Sequence, residues 1–492
     1  AKILEESLKE QQEKLDKESQ QKLDQLRKEM ESGVTQAHKS RDEAKELYAK
    51  ENKARKAIHN KLMELQGNIR VLARVRPMVE VEVESGKSTD VTEFPTDEDL
   101  VIKRSVLGMY TKDEQTDNKF EFDRVFRPDS TQGGVYTAVS PIITSVLDGY
   151  NVCIFAYGQT GSGKTHTMEG PSDDPGVNTR ALKELFDLAK ERSEDITYRF
   201  RISMMEIYNE TVRDLLDPTL SSKGTKSPNA ATSKGLEIRQ TVSGGTNVPG
   251  LTETEVKGMS EVMATLEQGA KNRAVGAHDM NEHSSRSHMI FSVRAMGTNR
   301  HTGEVTRAKL HLIDLAGSER ISKTDATGER LREAQNINRS LSALGDVIAA
   351  LAQAKSHVPF RNSKLTFVLQ DALSGNSKVM MFVNVSPASY NVMETLCSLN
   401  FAARCRSVKL GGAHKNQDGA DTARLRRIIE ALQNQLAQNN LTPVASLNGL
   451  SSSGSTSSRS QASSASPAKP PTSTGSARRK SLGGSSTGSK GV

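Results

Sequence analysis

From Lys2 to about Leu65 the apolar residues are sparse and recur at helical spacing. With Leu23 as an a position, the a and d sites run Leu23, Leu26, Met30, Gly33, Ala37, Ser40, Ala44, Leu47, Glu51, Ala54, Ile58, Lys61 and Leu65. This is a heptad seam interrupted by small and polar residues. Leu15 precedes Leu23 by eight residues rather than seven, so Leu4, Leu8 and Leu15 need a shift of register. The stretch has no proline, one glycine and dense Lys, Glu and Gln, which predicts a long exposed helix over residues 1–66. A weak parallel two-stranded coiled coil is the favoured state, and a single solvated helix is the alternative.

From about residue 68 the pattern changes. Short β-branched runs, Ile69 to Val75, Val152 to Tyr157, Leu310 to Leu315 and Val379 to Val385, alternate with helical stretches. Runs apolar on both faces predict a buried central sheet in an α/β domain spanning 67–410. Within it, residues 217–235 have turn composition and should form a surface loop. Gly411 to Asp421 reads as a linker, followed by an amphipathic helix from Ala423 to Ala437, together a 411–440 segment. Residues 441–492 are rich in Ser, Gly, Thr and Pro without acidic residues, the composition of a disordered basic tail.

Charge sharpens this division. The net charge is +7. Residues 413–492 carry ten Lys/Arg against Asp418, Asp421 and Glu430 and so account for all of it. The remainder is balanced, so an acidic partner of the folded part must meet a local basic patch. Cys153, Cys397 and Cys405 form neither a disulfide framework nor a metal spacing. They read as ordinary buried thiols in a reducing, cytosolic or nuclear compartment. No apolar run is long enough to span a bilayer, so membrane insertion is not expected. The chain opens on Ala rather than Met, as a piece of a longer protein does.

The chemistry is concentrated in a few strings. Gly158-Gln159-Thr160-Gly161-Ser162-Gly163-Lys164-Thr165 completes the pattern G-x-x-x-x-G-K-[ST] directly after a strand-like run. Its glycines let backbone N–H groups converge on phosphate oxygens at the positive end of the following helix. Lys164 should bridge the terminal phosphates, and the Thr165 hydroxyl should ligate Mg²⁺. Asp314, ending the run Leu310 to Ile313, sits where a carboxylate would hold Mg²⁺ through water. Gly317 follows with no side chain to obstruct a terminal phosphate. Asn281 to His288 (NEHSSRSH) is a second polar cluster, dense in hydroxyls.

Taken together, GQTGSGKT, NEHSSRSH and DLAGSE at 314–319 resemble, in order and spacing, the P-loop, switch I and switch II of kinesins. RVRP from Arg74, EIYNETVRDLLDP from Glu206, NINRSLSALG from Asn336 and HVPFRNSKLT from His357 extend the resemblance over about residues 55–410. It implies the kinesin motor fold, a P-loop NTPase with a central mostly parallel sheet flanked by helices, and a microtubule-stimulated ATPase using ATP and Mg²⁺. It further implies that Arg74, Arg76, Pro77 and His166 surround the adenine and that Ser285 completes the Mg²⁺ contacts. The Gly317 amide would sense the γ-phosphate, while Arg286 pairs with Glu319 to close the switches around the attacking water. Lys323, Arg330, Arg332, Arg339, Arg361 and Lys364 fall in the segments that face tubulin in the family.

The entry from coil into the first strand at Gly67-Asn68, and Leu399 to Arg404, resemble the minus-end-directed group that carries its motor after the stalk. The expected protein is a parallel homodimer on cytoplasmic microtubules, the spindle included, with no nucleic-acid partner and with calmodulin or another regulator conceivable at its tail. The alternative function is a microtubule crosslinker with a slow or uncoupled ATPase.

Overall fold

The computed structural model describes residues 2–65, 67, 69–84, 88–103, 117–218, 235–241, 245–275, 284–320, 328–375, 377–410, 413, 415–419, 421–422, 424–425 and 428–429. Lys323, Asn281 to His283, most of the 217–235 loop and the tail lie outside them, as does most of the expected helix after Ala423.

Helix α1 (Lys2–Leu65) runs unbroken for 64 residues. The seam residues Leu23, Leu26, Met30, Leu47 and Ile58 are 56 to 71% exposed in the single chain. Such a helix is not stabilised by burial within its own chain along most of its length. Its last turns differ. Met63 is 3% exposed and joins a core cluster with Leu72 and Ile142. Asn60 Oδ1 accepts a hydrogen bond from Lys378 Nζ at 2.9 Å, and Lys56 Nζ lies 3.6 Å from Asp148 Oδ1. Gly67, at φ +88°, then turns the chain into the sheet, a backbone angle that side chains resist.

One ten-stranded sheet organises the rest. Its strands are β1 (Ile69–Val75), β2 (Arg124–Phe126), β3 (Asn151–Tyr157), β4 (Ile196–Tyr208), β5 (Thr211–Asp214), β6 (Thr254–Val256), β7 (His288–Asn299), β8 (Val305–Asp314), β9 (Ser377–Val385) and β10 (Gln417–Asp418). The order across it is β6, β4, β7, β8, β3, β9, β1, β2, with β5 on β4 and β10 on β8. Strands β8, β3, β9, β1 and β2 run parallel, and the others pair antiparallel.

Alternation along β3 shows why its sequence is continuously apolar. Val152, Ile154 and Ala156 face α2 (Ser140–Leu147), α3 (Lys164–Met168) and α4 (Val177–Glu191). Cys153, Phe155 and Tyr157 face α5 (Glu329–Ala352) and α6 (Val392–Arg406). Both faces are covered, as parallel strands require. Each fully buried aliphatic or aromatic side chain contributes about 1.5–3 kcal/mol.

The expected linker after Gly411 is in part a strand. Register explains it: β8 pairs with β3 only from Leu310 to Asp314, leaving its first half open on that side. Gln417 and Asp418 pair with Thr306 and Val305 there. Asn416 N donates to Gly149 O at 2.9 Å, and Arg307 forms an ion pair with Asp418.

Candidate active site

The C-terminal ends of β3, β8, β9 and β1 meet where an open α/β sheet places its ligand crevice. The loop after Tyr157 turns through Gly158 at φ +152°. A Cβ on Gly158 would lie 2.1 Å from the Asn384 carbonyl oxygen at the end of β9, so only glycine lets the loop approach so closely. Lys164 is 6% exposed and its Nζ donates to Gly158 O and Gln159 O, each at 3.0 Å.

Because Asp314 is registered beside Ala156, its carboxylate reaches α3, where Thr165 Oγ1 donates to Oδ2 at 2.6 Å. The other oxygen, Oδ1, is buried without a hydrogen-bond partner among the described residues. Burial pushes the Asp314 carboxyl up and the Lys164 ammonium down, each partly offset by the other's charge. The orphaned oxygen beside the Thr165 hydroxyl supplies hard oxygen donors of the kind that suit a magnesium ion keeping several of its waters.

Of the four residues expected around the adenine, Arg74 and His166 are bridged by Gln132, whose Nε2 donates to His166 O at 2.6 Å while its Oε1 accepts from Arg74. Arg76 Nε donates to Gly161 O at 2.8 Å, and its other nitrogens hold Glu82 at 2.6 and 2.8 Å. That contact, more than any other, holds the Glu82 carboxyl at about 2. Pro77 and His166 are exposed. Arg74 is only 8% exposed and donates to Gln132 Oε1 at 2.8 Å and Thr167 Oγ1 at 3.0 Å. Strand alternation places it on the face of Leu72, so it ties β1 to the back of α3.

The two switch-like strings are joined directly to this loop. Gly317 N donates to Ser285 O at 2.9 Å, and Ser318 N to Gly158 O at 3.1 Å. Both Glu319 oxygens are taken by Thr160, one by its amide and one by its hydroxyl, each at 2.8 Å. Arg286 NH1 lies 3.1 Å from Glu333 Oε2 on α5. These two contacts stand where the expected Arg286–Glu319 pair would close.

His288, at the start of β7, carries a connection that the sequence reading did not assign. Its Nδ1 accepts from the Ala316 amide at 3.0 Å, so the hydrogen sits on Nε2 and donates to Ser340 Oγ at 2.7 Å. Ser340 in turn donates to Ile337 O within α5. Burial, then the charges of Lys164 and Arg273, hold His288 down to about 3, so it stays neutral. Arg273 anchors the run before it, donating to Ser284 O and Ser287 Oγ at 3.0 Å. His288 closes the NEHSSRSH string, but no spacing rule points to a partner 52 residues onward.

On α5, Arg330, Arg332 and Arg339 are exposed. Arg361 is exposed too, donating to Gln240 Oε1 at 3.0 Å with its guanidinium 5.4 Å from the Phe367 ring centre. Lys364, half-buried, opens a short helix capped by Ser363. Of the cysteines, Cys153 and Cys405 are buried as expected, whereas Cys397 is only half-buried.

Comparison with known proteins agrees with this geometry. The kinesin motor domain family model matches residues 74–408. The chain is similar to the kinesin-like protein KIN-14R of Oryza sativa subsp. japonica, 52% identical over 381 residues that make up 77% of this chain and 36% of that protein. It is 49% identical over 389 residues to KIN-14R of Arabidopsis thaliana, covering 79% of this chain and 34% of that one. It thus spans about a third of the length of these curated relatives. A solved structure described as the C-terminal motor and motor homology domain of Kar3Vik1 fused to a synthetic heterodimeric coiled coil superimposes with a TM-score of 0.67. That structure is 38% identical, over 79% of this chain and 98% of that chain. With the family match extending over well more than half its length, the chain belongs to the kinesin motor family.

Proposed function

We propose that this chain is the motor-bearing part of a microtubule-stimulated ATPase that binds ATP with Mg²⁺ and moves toward microtubule minus ends. The observation that carries this reading is the path from the phosphate loop to α5, made of hydrogen bonds joined by the short backbone segment Ala316 to Glu319. It runs from Thr160 and Gly158 to Glu319 and Ser318, and from Ala316 through His288 to Ser340. Mg²⁺, when bound, neutralises charge building on the transferring phosphoryl group. Thr165, Asp314 and Ser285 are the residues to hold it. Lys164 exchanges its two carbonyl partners for phosphate oxygens, and Gly317 can give its amide either to Ser285 O or to a terminal phosphate. That choice makes the loop nucleotide-sensitive and moves α5 through His288.

The exposed Arg332 and Arg339 on α5, with Arg361, form the basic patch for the acidic microtubule surface. The coiled-coil seam left exposed along α1 suits a second copy in parallel, and the joint at Met63, Asn60 and Lys56 suits a helix that swings as a lever. Similarity to KIN-14 kinesins supports the minus-end sense of that swing. The segment boundaries proposed are a stalk over 1–66, a motor over 67–410, and a linker and tail beyond.

Gliding of polarity-marked microtubules tests the reading. Minus-end-directed movement by the purified chain is expected, and plus-end movement would overturn the lever assignment. Thr165→Asn should lose Mg·ATP binding, whereas Gly317→Ala should bind ATP but stall. A Cβ on Gly317 falls 2.2 Å from both Thr160 Oγ1 and Glu319 Oε2. Movement at wild-type speed in either variant would refute the mechanism.

A further inference from the structure

Between α5 and α6 lies a cleft of about 480 Å³ that touches the phosphate-loop path only at Ser318. Its walls include Tyr157, Arg320, Ser342, Glu394, Cys397 and Arg404. Tyr157 and Phe401 stack beneath it with ring centres 4.3 Å apart. Three features of its chemistry stand out. Cys397 Sγ is reachable and accepts a hydrogen bond from Arg320 NH2 at 2.8 Å. Glu394, one turn earlier on α6, is only 3% exposed, yet its Oε2 has no hydrogen-bond partner among the described residues. A buried acceptor in that condition is destabilising until a donor reaches it. Arg320 and Arg404 supply cations at the same cleft. The other two thiols are enclosed: burial pushes Cys153 up to about 12 and Cys405 up as well, leaving neither suited to attack.

We infer that this cleft is a reversible thiol-modification site, in which Cys397 takes up a small peptide thiol bearing a free ammonium and carboxylates. The ammonium satisfies Glu394, and the carboxylates meet Arg320 and Arg404. The reaction is thiol–disulfide exchange. The Cys397 sulfur, having lost its proton, attacks one sulfur of the peptide disulfide. A new S–S bond forms as the old one breaks, and the second peptide leaves as a thiolate that takes a proton. Cys397 is oxidised to the disulfide level, and the departing peptide sulfur is reduced. Seated between α5 and α6, the adduct wedges α5 against the shift that nucleotide exchange demands; this consequence rests on the motor reading above.

The test uses the full chain with oxidised glutathione as probe and bis(2-hydroxyethyl) disulfide as a neutral comparison, read by intact mass and peptide mapping. The expected product carries one glutathione, on Cys397, removed by dithiothreitol, with Cys153 and Cys405 unmodified until the protein is unfolded. Glu394→Gln should slow glutathione addition several-fold while leaving the neutral disulfide's rate unchanged. Cys397→Ser should take up nothing and keep its ATPase in oxidant. The adduct should lower microtubule-stimulated ATP turnover several-fold, and dithiothreitol should restore it. No adduct on native Cys397, equal labelling of all three cysteines, or equal slowing of both disulfides in Glu394→Gln would overturn the site. An adduct that leaves turnover unchanged would overturn the wedge. If the unmodified chain hydrolyses no ATP, the motor reading fails while the mass measurement still decides the site.

Discussion

At the phosphate loop each turn of backbone is fixed twice over. Gly158 fits against Asn384 with no room for a Cβ, Lys164 reaches back to two loop carbonyls, and Thr165 is held by Asp314. At the joint between α1 and the core, the inserted side chain is Met63, with Asn60 on Lys378 and Lys56 near Asp148. Beyond it the described seam side chains Leu23, Leu26, Met30 and Leu47 are exposed. The contrast separates two tasks. A phosphate site gains from preorganised donors that need no rearrangement during reaction. For the proposed lever, a joint works through contacts that can be exchanged at a small cost in interaction energy.

The largest effect should come from the rigid region. Lys164→Ala removes the buried ammonium from the loop and should lower microtubule-stimulated ATP turnover by at least about 10²–10³-fold. Steady-state ATPase measurement checks this, and residual turnover near wild type would show that Lys164 is structural only. Gly158→Ala should cost about 2–4 kcal/mol of stability from overpacking and backbone strain together. A thermal melt matching wild type would show that the loop has slack.

Acid should expose the His288 link. Its folded-state value, near 3, lies below the ordinary value of 6.5. Proton uptake therefore favours the unfolded chain. The stabilisation is fully present above about pH 6.5 and is lost as pH falls toward 3, by up to about 1.4 kcal/mol per pH unit. Denaturant unfolding between pH 7 and 4 should show this slope reduced in His288→Gln; an unchanged slope would remove His288 from the account.

The joint gives a smaller, differently shaped effect. Met63→Ala, costing about 2–4 kcal/mol locally, and Lys378→Met should slow gliding while leaving ATP turnover close to wild type. Loss of both together would mean that the joint also supports the catalytic core. Smallest of all, Asp418→Asn should loosen β10 by roughly 1 kcal/mol, visible as faster hydrogen exchange at Arg307 and Gln417 with the global melt unmoved.

Particular residues show how far the chain could be read without its fold. The phosphate loop was legible because its determinants are contiguous: a strand, three glycines and Lys-Thr act on their own neighbours. Asp314 was legible because it ends an apolar run. Arg74 and Arg76 share a parity, yet Arg74 is enclosed beside Gln132 and Thr167 while Arg76, just past the end of β1, reaches Gly161 and Glu82, a difference set by what packs there and not by spacing. Cys397 looked like its two buried relatives because exposure depends on the gap between α5 and α6, not on the residues beside it. The Arg286–Glu319 pair is an expectation from the motifs, whereas the contact of Glu319 with Thr160 depends on how closely the phosphate loop approaches.

By itself, then, the sequence determined the long N-terminal helix through composition and spacing, the alternation of strands and helices through apolar runs, and the turns of the phosphate-type loop through local glycine chemistry. Tertiary structure alone decided that His288 bridges Ala316 and Ser340, that Glu333 receives Arg286, that Gln417 and Asp418 extend the sheet, and that Glu394 and Cys397 share a cleft. The physical reason is range. Backbone preferences and periodicity act over a few residues, whereas these contacts join groups far apart in sequence, whose meeting depends on strand register and helix packing.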